Sequence, residues 1–148
     1  AREKMMLGCI VVGFGFSNAN LGLVHAIAHT LSAHFGLAHG VANACVLPYV
    51  TAFNAEKCPN EMIEMAKAIN LPLTGDEEKD KFALANELGR MVKEMGIRPL
   101  HEQGREHKIT EADFDIIATD ALKEGPLHFN PRQDVTKETI IEILKKAF

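Results

Sequence analysis

From Leu21 to Pro48 the chain reads LGLVHAIAHTLSAHFGLAHGVANACVLP, and this stretch decides the fold. Small and apolar residues fill it, with His25, His29 and His34 spaced among them. Leu, Val, Ile and Ala recur without strict alternation and with no internal Pro, which predicts a buried helix over about Leu21–Ala33. Phe35-Gly36-Leu37 interrupts the pattern, and a second helix is predicted from about His39 to Phe53. Pro48 either kinks that helix or ends it, because its ring displaces the preceding turn and removes a donor.

Outward from this stretch the same character continues. After Arg2, Glu3 and Lys4, no Asp, Glu, Lys or Arg occurs until Glu56. An apolar run without proline, Arg2 to about Phe16, is expected as a further buried helix, with Cys9 as a small core residue. Downstream the chain becomes charged and amphipathic. A short helix is predicted over Glu61–Ile69. A longer one over about Asp76–Met95 places Leu84, Leu88, Met91, Val92 and Met95 on one face, and Gly96 stops it. Thr110-Glu111-Ala112-Asp113 is close to a capping box. It opens a helix that turns Phe114, Ile117, Ala118, Ala121 and Leu122 inward and closes at Gly125-Pro126. The last helix spans about Lys137–Ala147. No alternating strand, internal repeat or long linker stands out. One all-α domain over residues 1–148 is the expected fold class, with the six methionines as core filler.

Composition narrows the function. A 47% hydrophobic share is too high for a disordered tail, and 11 Gly with 6 Pro excludes a low-complexity or collagen-like chain. A net charge of -4 offers no basic stripe for nucleic acid. Met5–Val24 is long enough to cross a bilayer, but its four glycines and its Ser17, Asn18 and Asn20 fit a core segment better. No secretory signal is apparent. The chain opens at Ala1, which fits processing or a piece of a longer protein. Three widely spaced cysteines, Cys9, Cys45 and Cys58, with no C-x-x-C, point to a reducing, cytoplasmic setting.

The histidines carry the chemistry. His25 and His29 stand four apart, so on a helix both leave one face, one turn apart. His39 follows at the predicted start of the next helix, beyond the Gly36 break, where it can converge on the same point. Ala26, Ala28, Ala38 and Gly40 let the backbones approach. Two imidazoles are not a complete metal site, since a divalent ion wants at least a third protein ligand, preferably a carboxylate. The uncharged stretch holds none. On the residues alone, a metal site and a set of polar side chains packed between helices both stay open.

The run from Gly22 to Leu31, continued through Ala38-His39-Gly40-Val41-Ala42-Asn43-Ala44 and Leu47-Pro48, resembles the iron-containing alcohol dehydrogenases. Asn18-Ala19-Asn20 and Asn130-Pro131-Arg132 match further segments typical of that family. The resemblance covers essentially the whole chain and corresponds to the family's C-terminal helical domain, a helical bundle of the dehydroquinate synthase-like architecture. It implies that His25 and His39 bind the catalytic divalent metal, Fe2+ or in some members Zn2+, and that His29 is a proton-relay group. His34 falls where relatives place residues near the mouth of the site, which implies a substrate-pocket position. The family's other two ligands come from an earlier Asp-x-x-x-His helix. No Asp precedes Asp76 here, so that pair and the NAD(P)-binding domain lie outside this sequence. Gly13-Phe14-Gly15 does not replace that domain: Asn18 stands at the third glycine position and no strand precedes it.

The implied activity is NAD(P)-dependent interconversion of a small alcohol with an aldehyde or ketone, in an enzyme expected to be a homo-oligomer with neither nucleic acid nor membrane as partner. The isolated chain is expected to be inactive. Two alternatives stand beside it, a glycerol dehydrogenase-like metal enzyme and a non-catalytic helical assembly or metal-binding module. Two departures bear on the pocket. Thr30 stands where many relatives have Pro, and Pro126 where they often have Cys.

Overall fold

The computed structural model describes residues 1–148 as helices joined by turns, with no strand. The α-helices are α1 (Arg2–Ala19), α2 (Leu23–Phe35), α3 (His39–Ala55), α4 (Pro59–Ala68), α5 (Glu77–Asp80), α6 (Ala83–Glu94), α7 (Phe114–Ala121) and α8 (Lys137–Ala147). The all-α expectation holds.

The core forms where the apolar faces of α2, α3, α7 and α8 meet. Leu23, Ile27 and Leu31 of α2, Val46 and Val50 of α3, Ile117 of α7, and Ile140 and Leu144 of α8 are all fully buried or nearly so. Each such aliphatic side chain contributes about 1.5–3 kcal/mol by leaving water. The capping box at Thr110 and Asp113 is present, and it opens a short 3-10 turn that leads directly into α7. Phe114, Ile117, Ala118 and Ala121 turn inward as the periodicity predicts. Pro48 lies inside α3 without ending it, and the helix runs on to Ala55.

Gly36 makes the turn between α2 and α3 possible. It sits at φ 66°, a left-handed cap that favours glycine, and a Cβ there would meet Arg105 Cβ at 3.1 Å. The Arg105 amide donates to the Phe35 carbonyl at 2.9 Å and holds the turn from outside. This sharp reversal returns α3 along α2 and sets His39 against His25.

Three expectations need correction. The first concerns α1, which forms a helix three residues longer than predicted but buries none of its residues. Met5, Val11, Val12 and Phe14 are each more than three-fifths exposed. Cys9 is exposed with them, whereas Cys45 is buried and its thiol is pushed up to about 11 by that burial. The uncharged stretch is therefore a core wall only from Leu23 onward. The second concerns the predicted Asp76–Met95 helix, which is broken into α5 and α6. The Thr74 and Gly75 amides both donate to the buried Asp80 carboxylate at 2.8 Å. Lys81 is buried with Glu56 and Glu78 on its ammonium. These polar anchors pull residues 80 and 81 inward and take the chain off the helical path. The third concerns the methionines: Met62 is core, but Met5, Met6, Met65, Met91 and Met95 are exposed. No single helix is long and apolar enough to cross a membrane. The α1 and α2 pair has the composition but is bent by 107°.

Asn130 fastens the start of α2 to the end of α3. It is 3% exposed. Its Oδ1 accepts from the Leu23 amide and from Asn54 Nδ2, each at 3.2 Å, and its Nδ2 donates to Asn54 Oδ1 at 2.9 Å and to the Arg132 carbonyl at 2.7 Å. Gly22 keeps this approach open, since a Cβ there would sit 3.1 Å from Asn130 Oδ1. Arg132 completes the latch by stacking 3.8 Å over the Phe53 ring and donating to the Phe53 carbonyl. Asn130→Ala removes the side-chain partner of the buried Leu23 amide and of the Asn54 side chain. The expected loss is about 2–4 kcal/mol of unfolding free energy. Urea unfolding checks it, and a loss below about 0.5 kcal/mol, the scale of an ordinary surface change, would show that the latch carries no stability.

Candidate metal centre

Helix α2 presents His25 and His29 from one face, and the α2–α3 turn brings His39 beside them. The three imidazoles form a nearly equilateral triangle, with centroids 5.9 Å apart for His25–His29, 5.3 Å for His25–His39 and 5.6 Å for His29–His39. The convergence expected from the spacing is present. The pairing closest together is the one between α2 and α3, His25 with His39.

Burial is the main cause holding His25 below its ordinary pKa, with His39 and then His29 adding to the effect. A neutral imidazole keeps a lone pair for a metal. Asn43, one turn into α3, donates from Nδ2 to the His39 carbonyl at 2.8 Å and lies 3.1 Å from His39 Nε2. The carbonyl contact fixes the amide's orientation, so His39 Nε2 faces a donor and is the ring's acceptor nitrogen. The same orientation leaves Asn43 Oδ1 buried with no hydrogen-bond partner. An orphaned acceptor beside the His39 imidazole is the mark of a polar site that the chain alone does not satisfy.

A cavity of about 650 Å³ opens on His25 and His39. Asn20, Leu21 and Val24 line it from the α1–α2 side, Asn43, Leu47 and Thr51 from α3, and Phe129 to Pro131 from the Asn-Pro-Arg segment. The segments singled out in the sequence thus meet at one opening. His29 is not in that lining. It lies alongside, and its Nδ1 stands 2.8 Å from Glu124 Oε2. His34 is also outside the lining, with its Nε2 at 2.9 Å from Asp120 Oδ2. Pro126 is not among the lining residues either.

No three His, Cys, Asp or Glu side chains come together as a metal-holding group. The pair His25 and His39 fits a divalent ion as part of a coordination shell. Two rings at this separation can reach one ion at the usual metal–nitrogen distance of about 2.0–2.1 Å. The shell then needs donors from elsewhere. Three residues of the site escaped the sequence reading: Glu124, Asn43 and Asn54. Only Asn43 carried a local signal, through its place four residues after His39.

The structure is an all-helical unit in which three histidines converge between two helices. The chain is a member of the Fe-containing alcohol dehydrogenase family and matches that family's C-terminal domain over residues 1–148. It is 39% identical over 149 residues to the 1,3-propanediol dehydrogenase of Citrobacter freundii, covering 100% of this chain and 38% of that protein. It is 35% identical over 150 residues to the lactaldehyde reductase of Escherichia coli K12, again across 100% of the chain and 38% of the relative. The crystal structure of a 1,3-propanediol oxidoreductase superposes with a TM-score of 0.82 at 35% identity, over 92% of this chain and 35% of that one. The chain therefore spans somewhat more than a third of the length of the curated relatives it matches.

Proposed function

We propose that this chain is the single helical, metal-binding domain of an NAD(P)-dependent alcohol dehydrogenase that interconverts a small alcohol with an aldehyde or ketone. The observation that carries the proposal is the meeting of neutral His25 with His39 at the mouth of one cavity, in a chain whose family is iron-containing. Relatives matched along the whole chain include a propanediol dehydrogenase and a lactaldehyde reductase, which supports a small alcohol or aldehyde as substrate. The exposed apolar surface of α1 supports a working form in which further protein covers it, as a nucleotide-binding portion or a second subunit of a homo-oligomer does.

When bound, an iron or zinc ion acts as a Lewis acid on the substrate oxygen. The chain's own part is to hold and to shape. His25 and His39 supply nitrogen ligands that leave the ion's charge undiminished. Leu21, Val24 and Leu47 give the cavity an apolar wall that limits water. His29, one helical turn from His25, handles the proton that leaves or joins the alcohol oxygen. His34, paired with Asp120 near the end of α2 and outside the cavity lining, is assigned no part in this chemistry.

The reading is tested in two arms. The 148-residue chain alone, given small alcohols, divalent iron and NAD+ or NADP+, is expected to form no reduced nicotinamide. Joined to the remaining portion of the Citrobacter freundii 1,3-propanediol dehydrogenase in place of the matched segment, it is expected to restore iron-dependent alcohol oxidation. A folded, iron-retaining chimera without turnover would sink the dehydrogenase reading. Turnover by the isolated chain would sink the division of labour.

A further inference from the structure

Two carboxylates near the end of α7 meet two histidines of α2. Glu124, three residues past Ala121, places Oε2 2.8 Å from His29 Nδ1, and Asp120 places Oδ2 2.9 Å from His34 Nε2. The order is antiparallel, with histidines five apart matched to carboxylates four apart. The two pairs differ in a way that matters. Asp120 shares its charge with Lys123 Nζ at 2.7 Å, and it grips its histidine by the far ring nitrogen. Glu124 has no side-chain partner other than His29, and it grips the near nitrogen, leaving Nε2 free. Both members are a little over one-third exposed, so the pair lies at the edge of the site.

We propose that Glu124 is the positioning residue for His29. An ionised carboxylate only accepts hydrogen bonds, so the nitrogen facing it carries the hydrogen. The pair therefore fixes the neutral ring as the Nδ1–H tautomer, with its lone pair on Nε2. This is the opposite of an unrestrained histidine side chain, in which the Nε2–H form predominates. The inference rests on the reading of His29 as the proton-handling group and gives it a direction. The proton that the alcohol gives up is taken at Nε2, through water beside the cavity, while the O–H electron pair stays on oxygen, and Nδ1 keeps its hydrogen. The resulting imidazolium then faces a carboxylate at 2.8 Å, which offsets the new charge. In the reverse reaction Nε2 returns the proton and the ring is again neutral.

The test reads the tautomer directly, without metal and without turnover. Nitrogen NMR of the ring-labelled chain, in solution alkaline enough to leave its imidazoles neutral, is expected to show His29 as Nδ1–H. Glu124→Ala should move it to the Nε2–H form. Glu124→Gln, whose amide oxygen can still accept from Nδ1, should retain Nδ1–H, and Asp120→Asn should leave the His29 signals in place. In the complete, metal-loaded enzyme, Glu124→Ala should lower kcat by about 10–100-fold with KM and metal content unchanged, and Glu124→Gln should recover part of it. A wild-type His29 in the Nε2–H form, or a tautomer unmoved by Glu124→Ala, overturns the inference. So does a tautomer that moves while kcat stays at the wild-type value. If His29→Ala itself turns over at the wild-type rate, the failure lies with the proton-handling role and not with the pairing that NMR reports.

Discussion

His25→Ala and His39→Ala, each made in the complete enzyme, are expected to lose the bound metal and with it the activity. The two rings come from different helices, and they are the only imidazoles among the residues that line the cavity. Removing either leaves a lone imidazole from this side, and one neutral ligand does not replace the hydration shell of a divalent ion. The Lewis acid supplies several kcal/mol of charge stabilisation, so turnover should fall by about 10³-fold or more. Neither change disturbs the core. His25 and His39 are not among its buried residues, and a truncation at a rim position leaves Leu23, Ile27 and Leu31 packed as before. Metal analysis of the purified variants is the decisive measurement, with circular dichroism to verify the helices. Full metal occupancy in either variant would remove that histidine from the ligand set.

The helical class and most helix limits were legible because local rules set them. Capping at Thr110, the left-handed turn at Gly36 and the inward face of α7 are each fixed by residues within a few positions of one another. The first helix shows where that logic stops. Its sequence records that Met5, Val11, Val12 and Phe14 are apolar, but apolarity states only that a surface favours being covered. It does not name the cover. The folded chain has none to offer, since its core is completed by α2, α3, α7 and α8. The break between α5 and α6 was illegible for a related reason. Asp80 and Lys81 read as solvent-facing charges, and their burial becomes favourable only once the Thr74–Gly75 turn caps Asp80 and the distant Glu56, with Glu78, meets Lys81.

The site divides along the same line. His25, His29 and His39 are close in sequence, so helical spacing and one glycine turn suffice to bring them together. Glu124 reaches His29 across 95 residues of intervening chain, and Asn54 reaches Asn130 across 76. Contacts of that separation depend on how whole helices pack, and no local pattern announces them. The absence of a carboxylate from the uncharged stretch was read correctly. The carboxylate that matters arrives from α7, and it meets the histidine that is not expected to bind the metal.

His29→Ala in the complete enzyme should therefore separate two roles that three clustered histidines leave entangled. The ring lies as close to His39 as to His25, within 6 Å of each, so proximity alone does not exclude it as a ligand. Its hydrogen bonding does not exclude it either, since a histidine that ligates through Nε2 commonly donates Nδ1–H to a carboxylate, and His29 Nδ1 meets Glu124. Its place is what sets it apart: His29 does not line the cavity that His25 and His39 share. Removing it is expected to leave metal content unchanged while kcat falls by about 10²–10⁴-fold, the range for losing a positioned acid–base group. The KM for alcohol should move little, because the lost interaction belongs to proton transfer and not to binding. A small exogenous base such as imidazole should restore part of the rate by entering the space the ring vacates. A variant that loses its metal would place His29 in the coordination shell. One that keeps its metal and turns over at the wild-type rate would reduce His29 to packing between α2 and α7, held by Glu124 for stability alone.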